Sequence, residues 1–76
     1  MSRRFPALTP RKVLQALSRA GFFTHHTTGS HYILKHPNKG NLRVSLAYHN
    51  KILKRKTLAS IIEQAGLTPK EFLTFL

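Results

Sequence analysis

The stretch Thr27-Thr28-Gly29-Ser30-His31-Tyr32-Ile33-Leu34-Lys35 joins a glycine turn to a run with the alternation of a β-strand. We predict this strand over residues 30–36. The preceding residues 22–28 are rich in β-branched and aromatic side chains, and their polar end is typical of a strand at a sheet edge. Gly29 permits the turn between the two strands. The stretch therefore predicts a β-hairpin with His31 beside its turn.

A third strand is predicted over residues 42–47, after a loop at Pro37-Asn38-Lys39-Gly40-Asn41 in which Gly40 is able to take a positive φ. Strand register follows from placing the apolar side chains of both strands on one face, because a shift by one residue would move them to the other face. The expected pairs are His36 with Leu42, Leu34 with Val44, and Tyr32 with Leu46.

The other face of this sheet is expected to be uncovered and basic. Its predicted members are His31, Ile33, Lys35, Arg43 and Ser45. Of these side chains, His31 is the one suited to proton transfer, since the unperturbed pKa of histidine lies near about 6.5.

Helices are predicted before and after the three strands in the sequence. Thr9-Pro10 is a capping signal for a helix over residues 10–20. Thr57 is expected to cap a second helix that Gly66 closes, and Thr68-Pro69 begins a short final helix with a capping box. The order α-β-β-β-α with a short C-terminal helix predicts an α+β fold, a three-stranded antiparallel sheet with helices on one face.

This element order is similar to that of double-stranded-RNA-binding domains, although fold analogy alone assigns no function. We expect residues 1–76 to form a single domain, because the chain is short and no low-complexity segment interrupts it. Four phenylalanines, and Tyr32 by the register, are expected to point into the core: Phe22, Phe23, Phe72 and Phe75.

Charge is the strongest compositional signal. Thirteen Lys and Arg residues stand against Glu63 and Glu71, with a formal net charge of +11. Such a field attracts a polyanion, and nucleic acid is the commonest one in a cytoplasm. A membrane-active or ribosome-associated basic peptide is disfavoured because the apolar residues are spaced for a globular core. No apolar run is long enough to span a membrane, so a cytoplasmic protein is expected.

The shortage of carboxylates excludes several mechanisms. Two glutamates near the C-terminus cannot build a magnesium nuclease site, a glycosidase acid pair or a Ser-His-Asp triad. The chain has no cysteine, and His25-His26 are expected to point to opposite faces of a strand. We therefore expect neither a metal site nor a small-molecule cofactor.

Three blocks of the sequence resemble one family. They are Gly29-Ser30-His31 entering a strand, Arg43-Val44-Ser45-Leu46 leading to His49, and the segment 54–68 around the second helix. In this order they resemble the HicA toxins of bacterial and archaeal toxin–antitoxin pairs. Two positions differ from the usual family pattern: Ala47 stands in place of a proline, and Lys56 in place of a glycine.

The resemblance implies an mRNA interferase, a small ribonuclease with His31 as its catalytic residue, and a HicB-like antitoxin that covers this histidine. RNA supplies its own nucleophile, the 2′-hydroxyl, so a metal-free enzyme needs a base, an acid and cations for the phosphorane charge. The residues expected to contact RNA are Gly29, Ser30, Lys35, Arg43, His49, Lys51, Lys54, Arg55 and Lys56.

Two other functions stay open at this point. One is a non-catalytic RNA-binding module in which His31 has no role in chemistry. The other is DNA binding, for which the sequence has no clear helix-turn-helix pattern. Cleavage of RNA separates the first hypothesis from both alternatives, and competition between RNA and DNA separates the alternatives from each other.

Overall fold

The computed structural model describes residues 6–76; residues 1–5 of the expected 1–76 domain lie outside the described part. Its elements are α1 (Pro10–Arg19), β1 (Phe23–Thr28), β2 (His31–His36), β3 (Lys39–Ala47), α2 (Arg55–Gln64) and α3 (Pro69–Leu73). The predicted α+β order is confirmed. The three strands form one antiparallel sheet in the order β1-β2-β3.

The predicted register between β2 and β3 is confirmed over its central part, where Leu34 pairs with Val44 and Tyr32 with Leu46. The predicted pair at the outer end, His36 with Leu42, is wrong. His36 pairs instead with Lys39, because the register shifts after Lys35.

The reason for this difference is the length of the turn. Only Pro37 and Asn38 lie between the strands, so the predicted loop over residues 37–41 is wrong and β3 begins at Lys39. The N–H of Asn38 donates to Nδ1 of His36 at 3.1 Å and closes the turn. Gly40 lies within β3 and does not have the positive φ that a loop position would use.

The core lies between one face of the sheet and the helices. Leu34, Val44 and Leu46 supply the sheet side of one continuous buried cluster. The helices and their flanking segments contribute the rest, chiefly Val13, Ala16, Leu17, Phe22, Leu58, Ile61, Ile62, Ala65 and Phe72. The prediction that the helices cover one face is confirmed, because α1, α2 and α3 all contribute to this single cluster.

Of the phenylalanines expected in the core, Phe22 and Phe72 are buried and Phe75 packs partly against the core. The prediction for Phe23 is wrong. Its side chain is 45% exposed, because it is the first residue of β1 and pairs with Lys35 on the face away from the helices. Tyr32 points toward the core as predicted, half-buried, and its ring stacks on that of Tyr48 with centroids 4.7 Å apart.

The start of α2 differs from the prediction. Lys54, in extended conformation, is the N-cap and no side chain caps the helix, while Thr57 lies in the first turn. The apolar pattern of α2 is unchanged by this earlier start, which is why periodicity did not locate its first residue. The other two starts are confirmed: Thr9 caps α1, and α3 has a complete capping box between Thr68 and Glu71.

The two edge strands of the sheet, β1 and β3, differ in whether another part of the chain covers them. At the edge formed by β3, the backbone N–H of Ser45 donates to Oε1 of Gln64 at 2.9 Å, so a side chain of α2 takes up a strand donor that faces away from β2. Nothing in residues 6–76 covers the edge formed by β1 in this way, and all six residues of β1 are exposed. The helices therefore leave one face and one edge of the sheet accessible.

We expect Gly21→Ala to destabilise the protein by about 1–3 kcal/mol, the usual cost of holding a non-glycine residue at positive φ. Gly21 has φ +102°, and an added Cβ would lie 2.6 Å from Nε2 of His36. Gly40→Ala is the matched control, because nothing lies within 4 Å of its Cβ position and its φ is not positive. Urea unfolding measures both; an equal loss in the two variants would contradict the structural reason.

We also expect a simple acid dependence of stability. The pKa of the Glu71 carboxyl group lies below the ordinary value of 4.5. The main cause is the hydrogen bond that the carboxylate accepts from the backbone N–H of Thr68, followed by the interaction with the Thr68 side chain, and Lys39 adds a smaller attraction. A lowered folded-state pKa gives stability that is present above pH 4.5 and lost as the pH falls through the folded value.

Glu71→Gln should remove this part of the acid dependence while keeping an acceptor for the Thr68 N–H. Thermal unfolding from pH 6 to pH 3 measures it, and Glu63→Gln is the control, since these are the only two acidic side chains in the chain. An unchanged pH profile in Glu71→Gln would show that the capping box does not couple to stability.

Candidate functional site

The candidate site begins at the β1–β2 turn. Gly29 has φ +55° and Ser30 does not have a positive φ, which is the sign pattern of a type II′ hairpin turn with glycine first. The carbonyl of Ser30 accepts from the N–H of Tyr48 at 2.7 Å, so the turn is held against the end of β3. Within residues 6–76 the Ser30 hydroxyl has no hydrogen bond and remains available to a ligand.

Strand pairing arranges the uncovered face in three rows, one residue from each strand in each row. Directly paired residues point to the same face, so the rows can be taken from the register. They are Thr28–His31–Ala47 nearest the turn, then His26–Ile33–Ser45, then Phe23–Lys35–Arg43. The predicted placement of His31, Lys35 and Arg43 on one open face is thereby confirmed.

His31 is the first residue of β2 and its side chain is exposed. In the described part of the chain its imidazole makes no hydrogen bond and no ring contact, so no described residue occupies either ring nitrogen. Ile33 in the next row is only 4% exposed although it does not belong to the main core, and it forms an apolar base beside His31. The imidazole is thus accessible to a substrate lying on the sheet.

Lys35 and Arg43 lie two rows from His31. At about 3.3 Å per residue, four residues of strand separate the backbones of His31 and Lys35 by roughly 13 Å. This distance places both cations over a different part of a bound polymer from the part that meets His31. The spacing favours contacts to a second phosphate and does not favour transition-state charge stabilisation at the atom that His31 serves.

His49 lies just beyond β3, next to the residue that bonds Ser30. Its Nδ1 accepts from the backbone N–H of Lys51 at 3.0 Å. The neutral ring must then carry its proton on Nε2, because Nδ1 is occupied as an acceptor. His49 can donate a hydrogen bond to a ligand, and it also holds the connection that leads to α2.

The predicted basic run is exposed but is not on the open face. Lys51 follows His49 in the connection, whereas Lys54, Arg55 and Lys56 lie at the start of α2, in the layer that covers the other face. The structure therefore does not bring this run together with Lys35 and Arg43. It forms a second cationic surface at a helix N-terminus whose first N–H groups have no side-chain cap.

Sequence reasoning missed two residues on the open face, Phe23 and His26. His26 shares the face of Thr28 by regular alternation. The cause for Phe23 is a β-bulge, because the pairing of β1 with β2 shifts between Thr24 and His26. The extra residue, His25, reverses the alternation for the rest of the strand, so that Phe23 and His26 share a face. No signal in the sequence locates such a bulge.

The bulge also corrects the expectation that His25 and His26 point to opposite faces. Their Nδ1 atoms are 2.7 Å apart and their ring centroids 5.0 Å apart. In the described residues no three His, Asp, Glu or Cys side chains come together as a metal centre. None of the helices in residues 6–76 is long and apolar enough to cross a membrane.

Comparison with known families agrees with the resemblance of the three sequence blocks. The sequence model described as the HicA toxin of bacterial toxin–antitoxin systems matches residues 10–67. The chain belongs to the HicA toxin family. This membership assigns a toxin function and implies a cognate antitoxin. No curated protein matches the chain as a close relative.

The structure accounts for the two positions at which this HicA chain departs from the usual pattern. Ala47 pairs with His31, and since Ser45 turns its N–H to the outer edge of β3, the N–H of Ala47, two residues on, has the same direction. Exchange of proline for alanine there changes no hydrogen bond between β2 and β3. Lys56 lies inside the first turn of α2, where lysine suits a helix better than glycine.

Proposed function

We propose that this HicA toxin is a metal-independent ribonuclease that cleaves messenger RNA, with His31 as general acid or base. The observation that carries the proposal is the exposed imidazole of His31 on an uncovered, basic sheet face, beside the turn that presents Ser30. The family membership supports the toxin function. The chemistry is inferred from the residues on this face.

The proposed reaction uses the nucleophile within RNA. The 2′-oxygen attacks the adjacent phosphorus and forms a P–O bond, while the bond from phosphorus to the 5′-oxygen of the next nucleotide breaks. His31 takes the 2′-hydroxyl proton, and the departing 5′-oxygen receives a proton from solvent. The products are a 2′,3′-cyclic phosphate end and a 5′-hydroxyl end. One positioned acid or base contributes about 10²–10⁴-fold in rate, which suits a modest nuclease.

The open face offers a track for single-stranded RNA. Phe23 lies in the same row as Lys35 and Arg43, so an exposed ring stands beside one cation, with the second cation one strand farther. Aromatic rings stack on bases of any sequence, and cations contact the phosphates between them. RNA with its scissile phosphate at His31 would reach this row farther along the strand, with Gly29, Ser30 and His49 around the reacting end.

The second cationic surface, Lys51, Lys54, Arg55 and Lys56, would contact other phosphates of the same RNA. Because this surface does not lie on the open face, contact with both surfaces suits a folded or longer RNA better than a short fragment. Binding through many phosphate contacts releases counterions, so the affinity of this protein for RNA should fall steeply as salt rises.

We propose that the antitoxin is HicB-like and covers the open face. A partner with acidic residues would match the cations of Lys35 and Arg43 and would block access to His31. Association steered by opposite charges is fast and depends on salt. Covering His31 neutralises the toxin without any change in the toxin's own fold.

One observation favours a second candidate function, a non-catalytic RNA-binding module. Histidines that transfer protons are usually oriented by a hydrogen bond to the second ring nitrogen. The described residues give His31 no such partner. The cleavage experiment below decides between the two functions.

We expect the native protein to cut a labelled single-stranded RNA in EDTA, and His31→Gln to lose about 10²–10⁴-fold in cleavage rate. Glutamine keeps a hydrogen-bonding side chain but cannot transfer a proton at neutral pH, so binding should persist. Gel assays measure both cleavage and binding. Thr27→Ala is the matched control, because Thr27 is exposed on the neighbouring strand but faces the other side of the sheet.

Replacing the 2′-hydroxyl at the cleaved nucleotide by hydrogen should abolish cutting. Cleavage of that 2′-deoxy substrate, or full activity in His31→Gln, would rule out the proposed chemistry. Binding of RNA without cleavage by any of the proteins would instead identify a binding module. If DNA competes equally with RNA for this binding, the module binds both nucleic acids.

Phe23→Ala should weaken binding of single-stranded RNA by about 1–3 kcal/mol, the usual contribution of one aromatic ring stacked on a base. The experiment uses the His31→Gln background, so that cleavage does not interfere. Ile52→Ala is the control, because Ile52 is an exposed apolar side chain outside the strands. Equal weakening by both variants would show that Phe23 contributes only general apolar surface.

A further inference from the structure

The bulge in β1 creates a grouping that the proposed cleavage does not use. His25 is the inserted residue, and it allows two consecutive side chains of one strand to meet instead of pointing apart. Both histidines are exposed, on the edge of the sheet that no other described element covers. The pair is therefore open to solvent from outside the sheet.

The two rings meet through the same kind of nitrogen. Nδ1 of His25 lies 2.7 Å from Nδ1 of His26, with the ring planes at 77°. Two bare nitrogens at this distance would repel each other, so one proton lies between them, donated by one ring and accepted by the other. A metal ion that replaces this proton would bond both nitrogens from beside the line that joins them, because a metal–nitrogen bond of about 2.0–2.1 Å is longer than half of their 2.7 Å separation.

We propose that His25 and His26 form a two-imidazole site for a divalent transition-metal ion, Cu²⁺ or Ni²⁺. Metal–imidazole bonds are about 2.0–2.1 Å long. For an ion bonded to both Nδ1 atoms at their present separation, the N–metal–N angle would therefore be about 80°. This angle is near the 90° between neighbouring ligands in square-planar and octahedral complexes. It is far from the about 109° of the tetrahedral complexes that Zn²⁺ prefers.

The surroundings define what kind of site this is. The ring of Phe23 is a neighbour of His25, with centroids 6.4 Å apart and the ring planes tilted by 47°. Water must complete the coordination, because the described residues bring no third histidine or carboxylate to the pair. The formal net charge of +11 opposes a cation, so binding is modest and the ion exchanges with solvent. The proposed cleavage needs no metal and is independent of this site.

The test uses the full, tag-free chain in a buffer that does not bind metals. Calorimetric titration with CuCl₂ should show one site that is at least about tenfold weaker in His25→Thr and in His26→Thr, since each variant removes one of two chelating ligands. Threonine suits the edge strand, and circular dichroism confirms folding. Electron paramagnetic resonance of the Cu²⁺ complex should show two imidazole nitrogens in the native protein and one in each variant.

His49→Thr is the matched control, because His49 is also an exposed histidine but its Nδ1 is bonded to the backbone and has no imidazole partner. The control should keep the native copper affinity and the two-nitrogen signal. Equal loss in all three variants would reveal only adventitious binding by surface histidines and would overturn the proposal. Native affinity in either β1 variant, or a single imidazole nitrogen in the native complex, would overturn it as well.

Discussion

The packing of Leu34, Val44 and Leu46 against the helices is the constraint on which the rest of the structure depends. Fully burying one such side chain contributes about 1.5–3 kcal/mol, so this layer outweighs any local preference along the strands. A shift of β3 by one residue would move its apolar side chains to solvent. The register that this layer fixes also decides which residues face away from the helices, and His31, Lys35 and Arg43 are among them.

The accessible face is a consequence of how few elements the chain has. Three helices suffice to cover one side of a three-stranded sheet, and Gln64 reaches around to cover the edge of β3. No element in residues 6–76 remains to cover the other side. The whole sequence has only two acidic side chains, and neither lies in a strand, so the positive charges of the uncovered face have no carboxylate on that face to neutralise them. A face with both properties suits the RNA and the antitoxin that we propose as its partners.

Two irregularities in strand pairing change what this face presents. The bulge at His25 brings Phe23 to the side of His31, and it lets two histidines meet at the open edge. The irregularity after Lys35 shortens the second turn to Pro37 and Asn38. Both are local departures from a period of two, and neither changes the core. Small changes in pairing thus alter the surface chemistry at little cost to the fold.

The sequence by itself determined the element order, the central register, two of the three helix caps and the position of His31 beside a glycine turn. These features depend on local signals: hydrophobic periodicity, capping residues and turn residues. Only the tertiary structure decided where β1 is bulged, that Phe23 is exposed, and that His25 meets His26. Those features depend on which residues of a neighbouring strand lie opposite, and periodicity within one strand contains no information about its partner's register.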